Sequence, residues 1–136
     1  MPLTLPRLAF LVLLLLGLAT LSARAADADE PAAEQKPRFI YLLKLVERLH
    51  TDAGWTKDDE ETIGRHFRHL KAATEAGHAI VVGRTLEPGD KTFGLVIFEA
   101  DNAEQAKKFA ESDPAVVGGI MTVEVRPFAL VLMKKM

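Results

Sequence analysis

G-R-H-F-R-H-L-K-A-A-T-E-A-G, residues 64–77, is the stretch whose reading decides the fold. Apolar or small residues recur at Ile63, Phe67, Leu70, Ala73, Thr74 and Gly77, the i, i+4, i+7 spacing of one helix face. Gly77 closes the pattern as a C-cap glycine would. Upstream, Thr56 with Asp59 three residues on is an acidic form of the capping box, with further acid in the first turn where the helix dipole favours it. The spacing predicts a helix over residues 56–76. Its two imidazoles are not equivalent. At about 100° per residue, His66 lies roughly 50° from the centre of the apolar stripe, and His69 lies roughly 110° away, on the flank or in solvent.

Outward from that helix the chain alternates between strand and helix signals. Residues 39–46, F-I-Y-L-L-K-L-V, form an apolar run too short for a buried helix and read as a first strand, with residues 50–55 as a loop. Residues 79–86 and 92–99 are two more strand-like runs, and Pro88-Gly89 between them makes the pair a hairpin. Asp101 with Glu104 is a second capping signal, opening a helix over residues 102–111. Asp113 and Pro114 suit the cap and first residue of a short helical turn, ended by Gly118 and Gly119. A last strand is expected over residues 121–132, where Pro127 implies an edge position or a bulge.

The order β-α-β-β-α-β is a split βαβ arrangement of the α+β class. It predicts a ferredoxin-like, four-stranded antiparallel sheet with two main helices on one face. In the first strand Phe39, Tyr41, Leu43 and Leu45 oppose Ile40, Leu42 and Val46. In the third, Phe93, Leu95 and Ile97 oppose Gly94, Val96 and Phe98. Both sheet faces are apolar and one chain has helices for only one, so the other is expected to meet a second copy, sheet on sheet.

The ends and the composition bound the rest. Arg7, an apolar run over residues 8–21 and Ala23-Arg24-Ala25 have the plan of a secretory signal peptide cut after Ala25. A run of about 14 residues falls short of the ~20 needed to span a membrane, so no stable anchor is expected. Residues 26–37, rich in alanine and acid, read as a disordered tether, and residues 38–134 as the domain. Removing Arg7 and Arg24 with the leader takes the net charge from −2 to −4 and disfavours a nucleic-acid partner. With no cysteine, the exported domain must be held by a well-filled core or a second subunit.

The candidate chemistry centres on His66 and Asp113. A buried imidazole needs a partner, since an unmet polar group costs about 1–3 kcal/mol. The two main helices run side by side in the same direction. At about 1.5 Å per residue, His66 sits ~14 Å along one and Asp113 ~17 Å along the other, at similar depth. The carboxylate can hold one tautomer of the ring and leave its second nitrogen for proton exchange. Either residue can equally be structural, a core histidine and a helix cap. Arg84, after Gly83 on a strand beside the cleft, is a candidate clamp for a carboxylate or phenolate, and Phe67 a candidate pocket wall. Arg65, Arg68 and Arg126 read as surface charges, and Trp55 as a lid over the core. His66 and His69 have no further ligand at metal spacing, and no phosphate loop or nucleophilic serine or cysteine arrangement occurs, so neither metal nor cofactor is expected.

These pieces together resemble the YCII-related family. They are residues 66–77, A-I-V-V-G-R-T-L at 79–86, F-G-L-V-I-F-E-A at 93–100, A-E-S-D-P-A-V-V-G-G-I-M at 110–121 and E-V-R-P-F at 124–128, all in family order. The resemblance implies a ferredoxin-like dimeric α+β barrel, with a site made of a first-helix histidine, matching His66, and the aspartate of the D-P motif, matching Asp113. It also implies proton-transfer chemistry of a lyase, isomerase or dehalogenating type on a small aromatic or lactone-like molecule. Two departures stand out: His69 occupies a position that is aromatic in many relatives, and the leader marks export in a domain that is usually cytoplasmic. Two functional classes remain open, an enzyme using the His66–Asp113 pair and a non-catalytic exported binding module.

Overall fold

Alternation in the strands and the spacing of helix caps produce, in order, β1 (Arg38–Leu45), α1 (Lys57–Glu75), β2 (Ala79–Arg84), β3 (Gly94–Glu99), α2 (Ala103–Glu111), α3 (Pro114–Val117) and β4 (Met121–Pro127). The computed structural model describes residues 35–134; the leader expected over residues 1–25, and residues 26–34 of the tether, lie outside the described residues. At the boundary, Ala100 donates its amide to the Pro37 carbonyl and Lys36 pairs with Asp101 at 2.9 Å. Among the described residues no helix is long and apolar enough to cross a membrane.

The sheet order is β2-β3-β1-β4, antiparallel throughout, which is the ferredoxin-like arrangement. In β1, Phe39, Tyr41 and Leu43 are buried beneath the helices while Ile40 and Leu42 are only half-buried on the opposite face. β3 follows suit, with Val96 and Phe98 inward and Leu95 and Ile97 outward. β4 turns Val123 and Val125 to the core and Thr122, Glu124 and Arg126 to the open face. A register shift between Ala79 and Val81 sets Val82 opposite Val96 and Arg84 opposite Gly94.

The core under the helices is aromatic. Phe98 stands 4.9 Å from Phe109 and 5.5 Å from Tyr41, centroid to centroid, and Phe39 extends the cluster at 6.1 Å. Burying each such ring contributes about 1.5–3 kcal/mol. α1 starts on the expected capping box, Thr56 and Asp59 exchanging hydrogen bonds, and ends before Gly77, whose φ of 74° needs glycine. Arg48, in a 3₁₀ turn after β1, clamps Asp59 with two 2.7 Å hydrogen bonds. Those bonds, with the ones from Thr56, hold the Asp59 carboxyl well below the usual carboxylate range.

Four expectations are corrected. The stripe of α1 is rotated: Phe67 is 66% exposed and Thr74 and Gly77 are also exposed, whereas Asp59, Thr62, Leu70 and Ala73 are buried. Its centre therefore falls close to His66, and Phe67 lies roughly 100° off it. The cap of α2 is Asn102, not Asp101: the helix starts one residue later, at Ala103, and the Asn102 side chain accepts from the Gln105 amide while Asp101 pairs with Lys36. β4 stops at Pro127 instead of reaching Leu132. Pro127 already faces Phe39 and the Phe128 amide takes the Arg38 carbonyl, so β1 has no earlier residue left to pair. The segment over residues 50–55 is no plain loop, since it carries the end of one 3₁₀ turn and a second one.

Thr56→Ala is expected to lower stability by about 1 kcal/mol in denaturant unfolding at neutral pH. Asp59→Asn removes a carboxylate whose folded pKa is depressed. Its contribution is complete above the ordinary value near pH ~4 and is lost as pH falls toward the folded value. The variant should thus be less stable at neutral pH and lose less on acidification than the parent; an unchanged acid profile would rule out this role.

Candidate functional site

α3 is a four-residue helix that begins where Pro114, with its preset φ, follows a residue able to cap. Asp113 is that cap, its Oδ1 accepting from the Ala115 amide at 2.9 Å. At the other end Gly118 lets α3 close on α1, since a Cβ there would lie 2.8 Å from Thr62 Cγ2. This approach brings Asp113 to His66: His66 Nδ1 and Asp113 Oδ1 are 2.6 Å apart. The remaining oxygen, Oδ2, accepts from the Tyr41 hydroxyl at 3.1 Å. Sequence reasoning did not single out Tyr41. The available signal was a lone tyrosine on an inward strand face, whose hydroxyl must find a partner.

Asp113 is completely buried. Burial pushes its carboxyl up, but the hydrogen bonds from His66, Ala115 and Tyr41 outweigh it and hold the group below the ordinary carboxylate value. Burial, followed by the Asp113 charge and hydrogen bond, drives the Tyr41 phenol far up, so it remains a donor. An ionised Asp113 offers only acceptors, which assigns the His66 proton to Nδ1 and leaves Nε2 without a protein partner among the described residues.

His66 lines a cavity of about 730 Å³ between α1 and the β1–β2–β3 side of the sheet. Leu43, Ile63, Leu70, Val82, Val96 and Met121 supply most of its apolar wall. Phe67 and Arg84 line it too, both exposed, so three of the four candidate residues border one cavity, and Asp113 lies buried behind His66 without lining it. Trp55 also lines it, while its Nε1 is tied to the Leu49 carbonyl at 3.2 Å, so the ring is a cavity wall in addition to packing beside the core. Lys71 and Glu75, an ion pair on α1, are its remaining charges. Among the described residues no three His, Cys, Asp or Glu side chains converge as a metal site requires.

His69 is a correction. It is not on a solvated flank: its ring stacks on Phe109, centroids 5.4 Å apart at 26°, and its Nε2 is buried with no hydrogen-bond partner. α1 thus has its two flanks in different surroundings, α2 beside His69 and the cavity beside Phe67.

The YCII-related domain family matches residues 42–129, more than half of the chain. The chain belongs to the YCII-related family. Among solved structures it is similar to 5-chloro-2-hydroxyhydroquinone dehydrochlorinase from Burkholderia phenoliruptrix AC1100, in complex with 2,5-dihydroxybenzoquinone. The identity is 21% and the TM-score 0.47, over 68% of this chain and 93% of that one. No curated protein matches.

In this YCII-related domain His69 acts as an aromatic ring with a surplus polar atom. His69→Phe should keep the stack on Phe109, remove the unpaired Nε2 and raise stability by about 1 kcal/mol, read as a higher thermal midpoint. A lower midpoint would show that the nitrogen has a partner in solution.

Proposed function

We propose that this protein is an exported, homodimeric enzyme that moves a proton on a small hydroxylated, aromatic or lactone-like molecule, in a lyase, isomerase or dehalogenating reaction. His66 is its general acid and base, and Asp113 orients the ring. The observation that carries the reading is the 2.6 Å pair of His66 Nδ1 with a fully buried Asp113, with His66 set in the wall of a largely apolar cavity. With Nδ1–H held by a carboxylate, Nε2 presents a lone pair that can accept a proton from a hydroxyl or an acidic C–H. The imidazolium so formed lies against the Asp113 charge, and the same nitrogen returns the proton to product or leaving group. Water is limited by the apolar wall, with Phe67 at the mouth and Arg84 on the β2 side. The leader plan of residues 1–25 supports export.

Turnover of a panel of hydroxylated and halogenated aromatics and lactones, followed by substrate loss, tests the proton-transfer role. For any compound turned over, His66→Gln should reduce the rate by about 10²–10⁴-fold with the fold intact by circular dichroism. Asp113→Asn should lie between it and the parent. Unchanged turnover in His66→Gln would end the catalytic reading and leave a binding module.

The homodimer is supported by the open sheet face. Ile40, Leu42, Leu95 and Ile97 form an apolar strip there that no helix among the described residues covers. Sedimentation should give a dimer for the parent and a monomer for Leu95→Lys; a monomeric parent at micromolar concentration would refute the assembly.

A further inference from the structure

We infer that the cavity selects a ligand bearing a permanent anion, a carboxylate, which Arg84 holds while an aromatic or lactone ring fills the apolar interior. This rests on the cavity being the ligand site of the proposed function, and not on catalysis there.

The charges of the lining carry the inference. Lys71 and Glu75 neutralise each other one turn apart on α1. Arg84 pairs with no carboxylate among the described residues, unlike Arg38 with Glu99, Arg48 with Asp59 and Arg126 with Glu124. The cavity is therefore left with one uncompensated guanidinium in a largely apolar wall. The planar fork of arginine matches the two oxygens of a carboxylate, and a ring seated on the apolar wall would shield that pair from water.

The backbone beside Arg84 adds shape. Gly94 faces it across the β2–β3 ladder, on the same side of the sheet as Val82 and Val96. With no side chain at Gly94, a flat ring can lie beside the guanidinium against Leu43. A phosphate would bring up to two charges to a single free cation. A carboxylate brings one, and the lining thereby favours it.

Calorimetric titration with 2,5-dihydroxybenzoate, hydroquinone and phenyl phosphate tests the inference on the full protein. The parent should bind the carboxylate roughly ten- to a hundredfold more tightly than hydroquinone, about 1.4–2.8 kcal/mol. Arg84→Gln should abolish that preference without altering hydroquinone affinity, and Arg84→Lys should retain part of it. His66→Gln should preserve the preference whatever it does to turnover, so the anion site and the proposed chemistry stand or fall separately. The inference is overturned if the parent binds the two dihydroxy compounds equally or shows no saturable heat with 2,5-dihydroxybenzoate at millimolar concentration. Survival of the preference in Arg84→Gln, or tighter binding of phenyl phosphate, would also overturn it.

Discussion

A carboxylate taken wholly out of water is tolerable only where donors replace the lost solvent, and the donors that Asp113 collects come from three parts of the fold. Tyr41 reaches it from β1, His66 from α1 and the Ala115 amide from α3. Removing one partner from such a buried charge typically costs several kcal/mol. One side chain thereby ties the sheet, the long helix and the short helix into a single geometry. Helix capping and histidine orientation are the same interaction seen from two sides, because Oδ1 accepts from both Ala115 and His66. The structural and the functional reading of Asp113 are therefore not alternatives.

The rotation of α1 about its axis follows from that tie. With His66 drawn inward to Asp113, Leu70 and Ala73 meet the core, and the flanks take different neighbours. On one flank His69 packs against Phe109, which also receives the edge of His78 at 4.4 Å. On the other, Ile63 and Phe67 border the cavity. Apolar surface left open in a concavity is what a small-molecule site requires. The His69–Phe109 stack on one flank and the cavity on the other are two results of one helix orientation.

Much of the architecture was legible because it depends on neighbours in the chain. The capping box at Thr56 and Asp59, the stop at Gly77, the turn at Pro88 and Gly89 and the alternation of β1 and β3 all rest on contacts a few residues apart. The pairing of His66 with Asp113 was anticipated from helix rise and from the family resemblance, but what brings the two together is α3, which Asp113 caps and which packs on α1. Features that depend on distant sequence were not legible. β4 ended at Pro127 because β1 ran out of partners. Nothing local to Arg48 foretold its bidentate grip on Asp59.

The sequence by itself determined the succession of strands and helices, the apolar character of both sheet faces and the identity of the titratable pair. The first two follow from periodicity and the pair from motif and helix length, all of them properties of residues near one another in the chain. Only the tertiary structure decided which way α1 faces, that Phe67 borders a cavity while His69 packs against Phe109, and that Tyr41 completes the ring of donors around Asp113. A helix can turn about its axis with no change in its own hydrogen bonds. Its orientation is set by the groups other segments present to it, here a buried charge 47 residues further along the chain.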